Sequence, residues 1–145
     1  VSSESHFNTR LRWDDIQLRR NYNSLLAYQQ TKLANVLFTG ELNRRLGPAS
    51  TVRAFAVDPG LVKTDIGFKS NNPGIVGWVW SKRTAAGITA EESGRNVAWL
   101  LADPAIQDAD AVYWKERAPK KPSREALDTA SAGRLWALSE QMCGI

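Results

Sequence analysis

Apolar residues along 25–45 fall in helical rows, at Leu26, Leu33, Val36, Leu37 and Leu42, with Leu46 continuing the pattern. One long helix is predicted there. Gly47-Pro48 closes it, since Gly suits the residue past a helix end and Pro cannot extend one. Arg44 and Arg45 in the last turn suit the negative end of the helix dipole. The β-branched and apolar content of 51–57 then predicts a buried parallel strand, broken by Pro59-Gly60. Val1-Ser2-Ser3 reads as the carboxyl end of another strand.

Between 7 and 23 the chain is charged, with Leu11, Trp13, Ile16 and Leu18 interspersed, and reads as a surface excursion with a short helical turn near 13–16. Asn71-Asn72-Pro73-Gly74 is a turn signal inside 66–87, followed by an apolar run containing Trp78 and Trp80. Thr89-Ala90-Glu91-Glu92 has the form of a capping box and opens a helix through about Ala102, with Val97, Leu100 and Leu101 expected inward and Asp103-Pro104 ending it. A short last strand is expected over 111–115 and a solvated loop over 116–123. A final helix is expected over 124–142, capped by Ser123, with Leu127, Leu135, Leu138 and Met142 on its buried side.

The chain has 145 residues, 43% hydrophobic and 23% charged, a composition that fits one globular domain. Its net charge of +4 is spread along the chain, and no basic stripe or reading motif supports nucleic-acid binding. The modest basic excess also suits a phosphate-rich cofactor. A single cysteine, Cys143, excludes an internal disulfide and reads as an inert packing thiol, so nothing points to an oxidising compartment. No apolar run approaches the roughly 18 residues of a membrane span. The expected location is cytoplasmic, with a peripheral membrane contact left open for the tryptophan-bearing segment.

Chemistry enters at Tyr28-Gln29-Gln30-Thr31-Lys32. Residues four apart on a helix lie on one face, so the Tyr28 phenol and the Lys32 ammonium can point into one site. A positive charge beside a phenol favours its ionised form, which makes it usable as a general acid or base. The same pair also reads as a half-buried aromatic with a snorkelling lysine. His6, the lone histidine, reads as a loop residue bonded to backbone rather than as a proton relay.

The order Ser, then Tyr-x-x-x-Lys, then a strand running into Pro59-Gly60 with Thr64 four residues on resembles the short-chain dehydrogenase/reductase family. The flanks Val-Ser-Ser-Glu-Ser-His and Leu-Ala-Tyr-Gln-Gln-Thr-Lys-Leu-Ala-Asn-Val-Leu-Phe are most similar to its retinol dehydrogenase and protochlorophyllide reductase-like branch. The resemblance implies an α/β fold, the C-terminal half of a Rossmann-like doubly wound parallel sheet, with 1–145 forming the C-terminal part of one domain. The family's Gly-rich dinucleotide turn is not among the ten scattered glycines, and the chain starts at Val1 without Met, so a fragment lacking the N-terminal dinucleotide-binding half is expected.

By the same resemblance Ser3, Tyr28 and Lys32 are the catalytic set, Ser3 preferred over Ser2 by its distance from the position that His6 takes in place of the family's usual Gly. Tyr28, Lys32, Pro59, Gly60, Val62 and Thr64 are implied to hold NAD or NADP, and the tryptophan-bearing segment to cover an apolar carbonyl or alcohol substrate such as a retinoid, steroid or lipid aldehyde. Homodimers form through the corresponding helix in many relatives. Two readings from other classes stay open, a truncated non-catalytic fragment and a protein-interaction module built on the helix that carries Tyr28.

Overall fold

The computed structural model describes residues 1–63, 87–106 and 109–145. The long predicted helix is α1, Ser24–Leu46. Asn23 starts it by accepting the Leu26 N–H at 2.9 Å, and Gly47 ends it at φ +76°, a conformation that only glycine adopts without strain. The strand expected over 51–57 is shorter, β1 at Ala56–Asp58. Asn43 explains the loss, because its side-chain amide both donates to the Ala54 carbonyl and accepts the Ala54 N–H, each at 2.8 Å. Those backbone groups are thereby spent on α1 instead of a ladder.

β2, Tyr113–Lys115, pairs with β1 in parallel, placing Ala56 opposite Tyr113, Val57 opposite Trp114 and Asp58 opposite Lys115. The expected loop over 116–123 instead contains β3, Ala118–Pro119, folded back antiparallel on β2. Pro119 is tolerated there because the strand lies at the sheet edge. Residues 1–3 run extended beside β1, where the Ser2 N–H donates to the Val57 carbonyl at 2.7 Å.

Side chains alternate across a strand, and the packing follows. Ala56 and Tyr113 pack with Leu33, Val36 and Leu37 of α1 and with Ala126 and Ala132. Val57 and Trp114 pack on the other face with Leu100 and Ile106, Val97 and Trp99 against them. Helices thus cover both faces of the sheet, as in a partial Rossmann-like domain. Leu11, from the polar excursion, also enters the α1 core.

The second helix, α2, is Ala90–Ala102, and the Thr89 hydroxyl accepts the Glu92 N–H at 3.1 Å, as the capping pattern predicts. Leu101 does not turn inward; it is 78% exposed, rotated off the face that Leu100 presents to the core. The last helix, α3, begins later than expected, at Thr129, and runs to Cys143. Ser123 caps only a single 3-10 turn, Glu125–Leu127, and Asp128 then caps α3 through the N–H groups of Ala130 and Ser131. That restart turns Leu127 outward, and Met142 and Cys143 are exposed near the end of α3, so Cys143 is not a packing thiol. Thr64, Trp78 and Trp80, with the rest of 64–86, lie outside the described residues.

Candidate active site

One turn of α1 separates Tyr28 from Lys32, and the Lys32 ammonium stands 5.1 Å from the centre of the Tyr28 ring. The helix is clamped to the segment that carries Ser3. The buried Ser2 hydroxyl donates to the Lys32 carbonyl at 2.8 Å, and the Asn35 amide donates to the Val1 carbonyl at 2.7 Å. Ser2 is therefore spent on structure, which leaves Ser3 as the serine facing open space. The Ser3 hydroxyl accepts the Ser5 N–H at 3.3 Å and so caps the 3-10 turn Glu4–Asn8.

The opposite wall is the Pro59-Gly60 turn. Gly60 has φ +80°, and an added Cβ there would meet nothing closer than 3.7 Å, so the backbone angle rather than crowding demands glycine. Ser93 of α2 donates to the Pro59 carbonyl at 3.2 Å. Val62 bridges Ile88 in parallel, with the Ile88 N–H on the Leu61 carbonyl and the Lys63 N–H on the Ile88 carbonyl, each at 2.9 Å. The turn is thus held at both ends.

Ser3, Tyr28, Lys32, Pro59, Gly60 and Val62 all line one cleft of about 570 Å³. That volume lies within the range of small-molecule sites, roughly 300–1,000 Å³. Six of the seven residues singled out from the sequence thus share one space, and the seventh, Thr64, lies outside the described residues. Among the described residues no group of His, Cys, Asp and Glu is gathered to hold a metal.

Two polar groups beneath the cleft have roles that the sequence did not reveal. Asp58, 5% exposed, accepts hydrogen bonds from Glu4 N–H, Gly60 N–H and the Tyr113 hydroxyl. Burial, reinforced by Asp58, pushes the Tyr113 phenol well above its ordinary pKa, so it remains the donor. Glu4 sits between Lys115 at 2.6 Å and Lys120; the Lys115 hydrogen bond leads in holding its carboxyl below the usual range, and Glu4 in turn raises Lys115.

His6 is fully buried, as a loop residue bonded to backbone at both nitrogens. Its Nε2 accepts the Ser123 N–H at 3.1 Å, which assigns the ring proton to Nδ1, the donor to the Ser3 carbonyl at 2.6 Å. Burial pushes its pKa down, so the ring is neutral and serves as a strut. An Asp preceding Pro-Gly and a His three residues after the serine were the signals of these ties in the sequence.

No family model matches the chain. Retinol dehydrogenase 13 of Homo sapiens is 34% identical over 152 residues, taking in all of this chain and 45% of that protein. Retinol dehydrogenase 14 of Homo sapiens is 29% identical, with the whole chain again covered and 43% of the relative. Polyprenol dehydrogenase of Homo sapiens is 30% identical over all of this chain and 44% of its own length. A crystal structure of an uncharacterised protein from Mycobacterium paratuberculosis superposes with a TM-score of 0.64 at 32% identity, covering 97% of this chain and 47% of that one. The chain spans a little under half the length of the curated relatives it matches. From end to end it is similar to the retinol dehydrogenase branch of the short-chain dehydrogenase/reductase family, the family that its serine, Tyr-x-x-x-Lys and Pro-Gly signals indicate and the branch that the flanks of those signals resemble.

Proposed function

We propose that this chain forms the C-terminal part of one Rossmann-type domain in an NAD(P)-dependent oxidoreductase that interconverts a carbonyl and an alcohol. The observation that carries the reading is the convergence of Ser3, Tyr28 and Lys32 on the same cleft as the Pro59-Gly60 turn. Ser3 donates a hydrogen bond to the substrate oxygen. The Tyr28 hydroxyl gives a proton to that oxygen or takes one from it, and the Lys32 charge stabilises the negative charge that develops on the phenol. The bond from Ser2 to the Lys32 carbonyl holds the Ser3 segment against α1 and so fixes the spacing of Ser3 from Tyr28 that this transfer requires.

A flat nicotinamide ring would lie against the Pro59-Gly60 wall, whose course is set by the positive φ of Gly60. Tyr28, Lys32, Pro59, Gly60 and Val62, with Thr64, would hold NAD or NADP, which when bound supplies hydride chemistry. The names of the relatives point to alcohols on long apolar skeletons, and an apolar alcohol or aldehyde is the substrate class proposed here. Such substrates partition into lipid, so the reading includes a peripheral membrane contact; among the described residues no helix is long and apolar enough to cross a bilayer.

The test is Tyr28→Phe in the full gene product that carries this chain. Turnover should fall by at least about 100-fold, the usual contribution of a general acid, while dinucleotide affinity stays within a few-fold. Turnover within a few-fold of the parent rejects the assignment.

A further inference from the structure

We propose that Asp58 is a positioning residue whose single carboxylate sets the Ser3 wall and the Pro59-Gly60 wall of the cleft in register. It rests on the oxidoreductase reading of the cleft. Asp58 ends β1 on the face that also bears Tyr113, directly under the opening. Its Oδ2 accepts the Glu4 N–H at 2.7 Å and the Tyr113 hydroxyl at 3.2 Å, and its Oδ1 accepts the Gly60 N–H at 2.9 Å. Glu4 follows Ser3 in the chain, and Gly60 precedes Val62 by two residues, so each oxygen holds one wall. Ser3 presents the hydroxyl and the Gly60 turn presents the backbone surface for the nicotinamide.

The chemistry requires a carboxylate at this position. An ionised Asp offers acceptors on both oxygens, whereas an Asn amide offers one acceptor and one donor group. With the Asn oxygen in place of Oδ2, its NH2 faces the Gly60 N–H and releases that wall; turned over, it faces the Glu4 N–H and releases the other. A strand-ending turn by itself needs no buried acid, and burying one is costly unless it is fully bonded. The sites Asp58 serves explain its presence, and the Tyr113 hydroxyl contributes the remaining donor, its ring packing edge-on against His6.

Binding of NADH and NADPH to the full gene product, followed by tryptophan fluorescence quenching, tests this with Asp58→Asn and Tyr113→Phe. A folded Asp58→Asn should bind the preferred dinucleotide at least about tenfold more weakly, while Tyr113→Phe, which keeps both backbone ties, should stay within about twofold. Asp58→Asn affinity within twofold of the parent, with only the melting temperature lowered, overturns the positioning role, and so does an equal loss in Tyr113→Phe. Should Asp58→Asn not fold, amide exchange on the parent decides: the dinucleotide should slow exchange at Glu4 and Gly60 together, and slowing at Gly60 alone overturns the link. A parent that binds neither NADH nor NADPH instead rejects the oxidoreductase reading itself, a failure visible without any variant.

Discussion

The two ends of α1 carry polar clusters of opposite character. Near its start Tyr28 and Lys32 face a cleft, with the phenol partly exposed and no carboxylate paired with the ammonium among the described residues. Near its end Glu41, 1% exposed, is held bidentately by Arg44 at 2.6 and 2.7 Å and again by Arg45 at 2.8 Å. The Arg44 hydrogen bonds lead in pulling its carboxyl down to about 2. Arg45 lies 4.6 Å over Trp136 of α3, which stacks on Phe38 at 5.1 Å. One helix thus separates two uses of charge. At the far end the acid is paired within α1 as soon as it is buried, while Arg45 and Phe38 carry the contact to Trp136 of α3; at the near end charge is left available, the condition for acting on something that arrives.

On that division, substitutions at the two ends should separate activity from stability. Lys32→Ala should lower turnover by about 100-fold or more and weaken dinucleotide binding, with the denaturation midpoint changed by no more than about 0.5 kcal/mol in free energy. Equal loss of stability would merge the two ends into one structural unit. Glu41→Ala should do the reverse, costing about 1–2 kcal/mol in urea melts after allowance for the solvent-exposed arginines, at unchanged turnover.

Acid titration sharpens the contrast further. His6 is held neutral by burial, so its contribution is whole above pH 6.5 and erodes as pH falls below that value, where the unfolded chain takes up the proton first. Glu41, with its pKa depressed from 4.5 to about 2, contributes fully above about pH 4.5 and loses its contribution as pH falls toward about 2. Stability measured against pH should therefore decline in two stages, and a folded His6→Gln should lack the first. The smallest expected effect is that of Ser2→Ala, which removes the bond to the Lys32 carbonyl and should cost about 1 kcal/mol with a turnover loss of a few-fold. A larger fall in activity than in stability would show that the clamp sets the alignment of Tyr28 with Ser3.

What could be read in the sequence depended on the reach of each interaction. Tyr28 with Lys32 and the Gly47 end of α1 are decided within a few residues, so spacing and turn chemistry suffice. The Pro59-Gly60 wall was legible for the same reason. His6 was legible as a backbone-bonded loop residue, but its Ser123 partner was not, nor were the partners of Asp58 and Asn43 at Glu4, Tyr113 and Ala54, because these lie 11 to 117 positions away and become neighbours only once the sheet and helices pack. The late start of α3 has a local origin: Ser123 does accept the Ala126 N–H, but the turn it opens stops at Asp128, whose extended backbone ends that turn and whose side chain caps α3 in its place.

That imidazole carries a wider consequence. Because one ring nitrogen grips the serine-bearing loop and the other grips the residue that leads into α3, unfolding α3 would be felt at the Ser3 cleft, more than a hundred residues upstream in the chain.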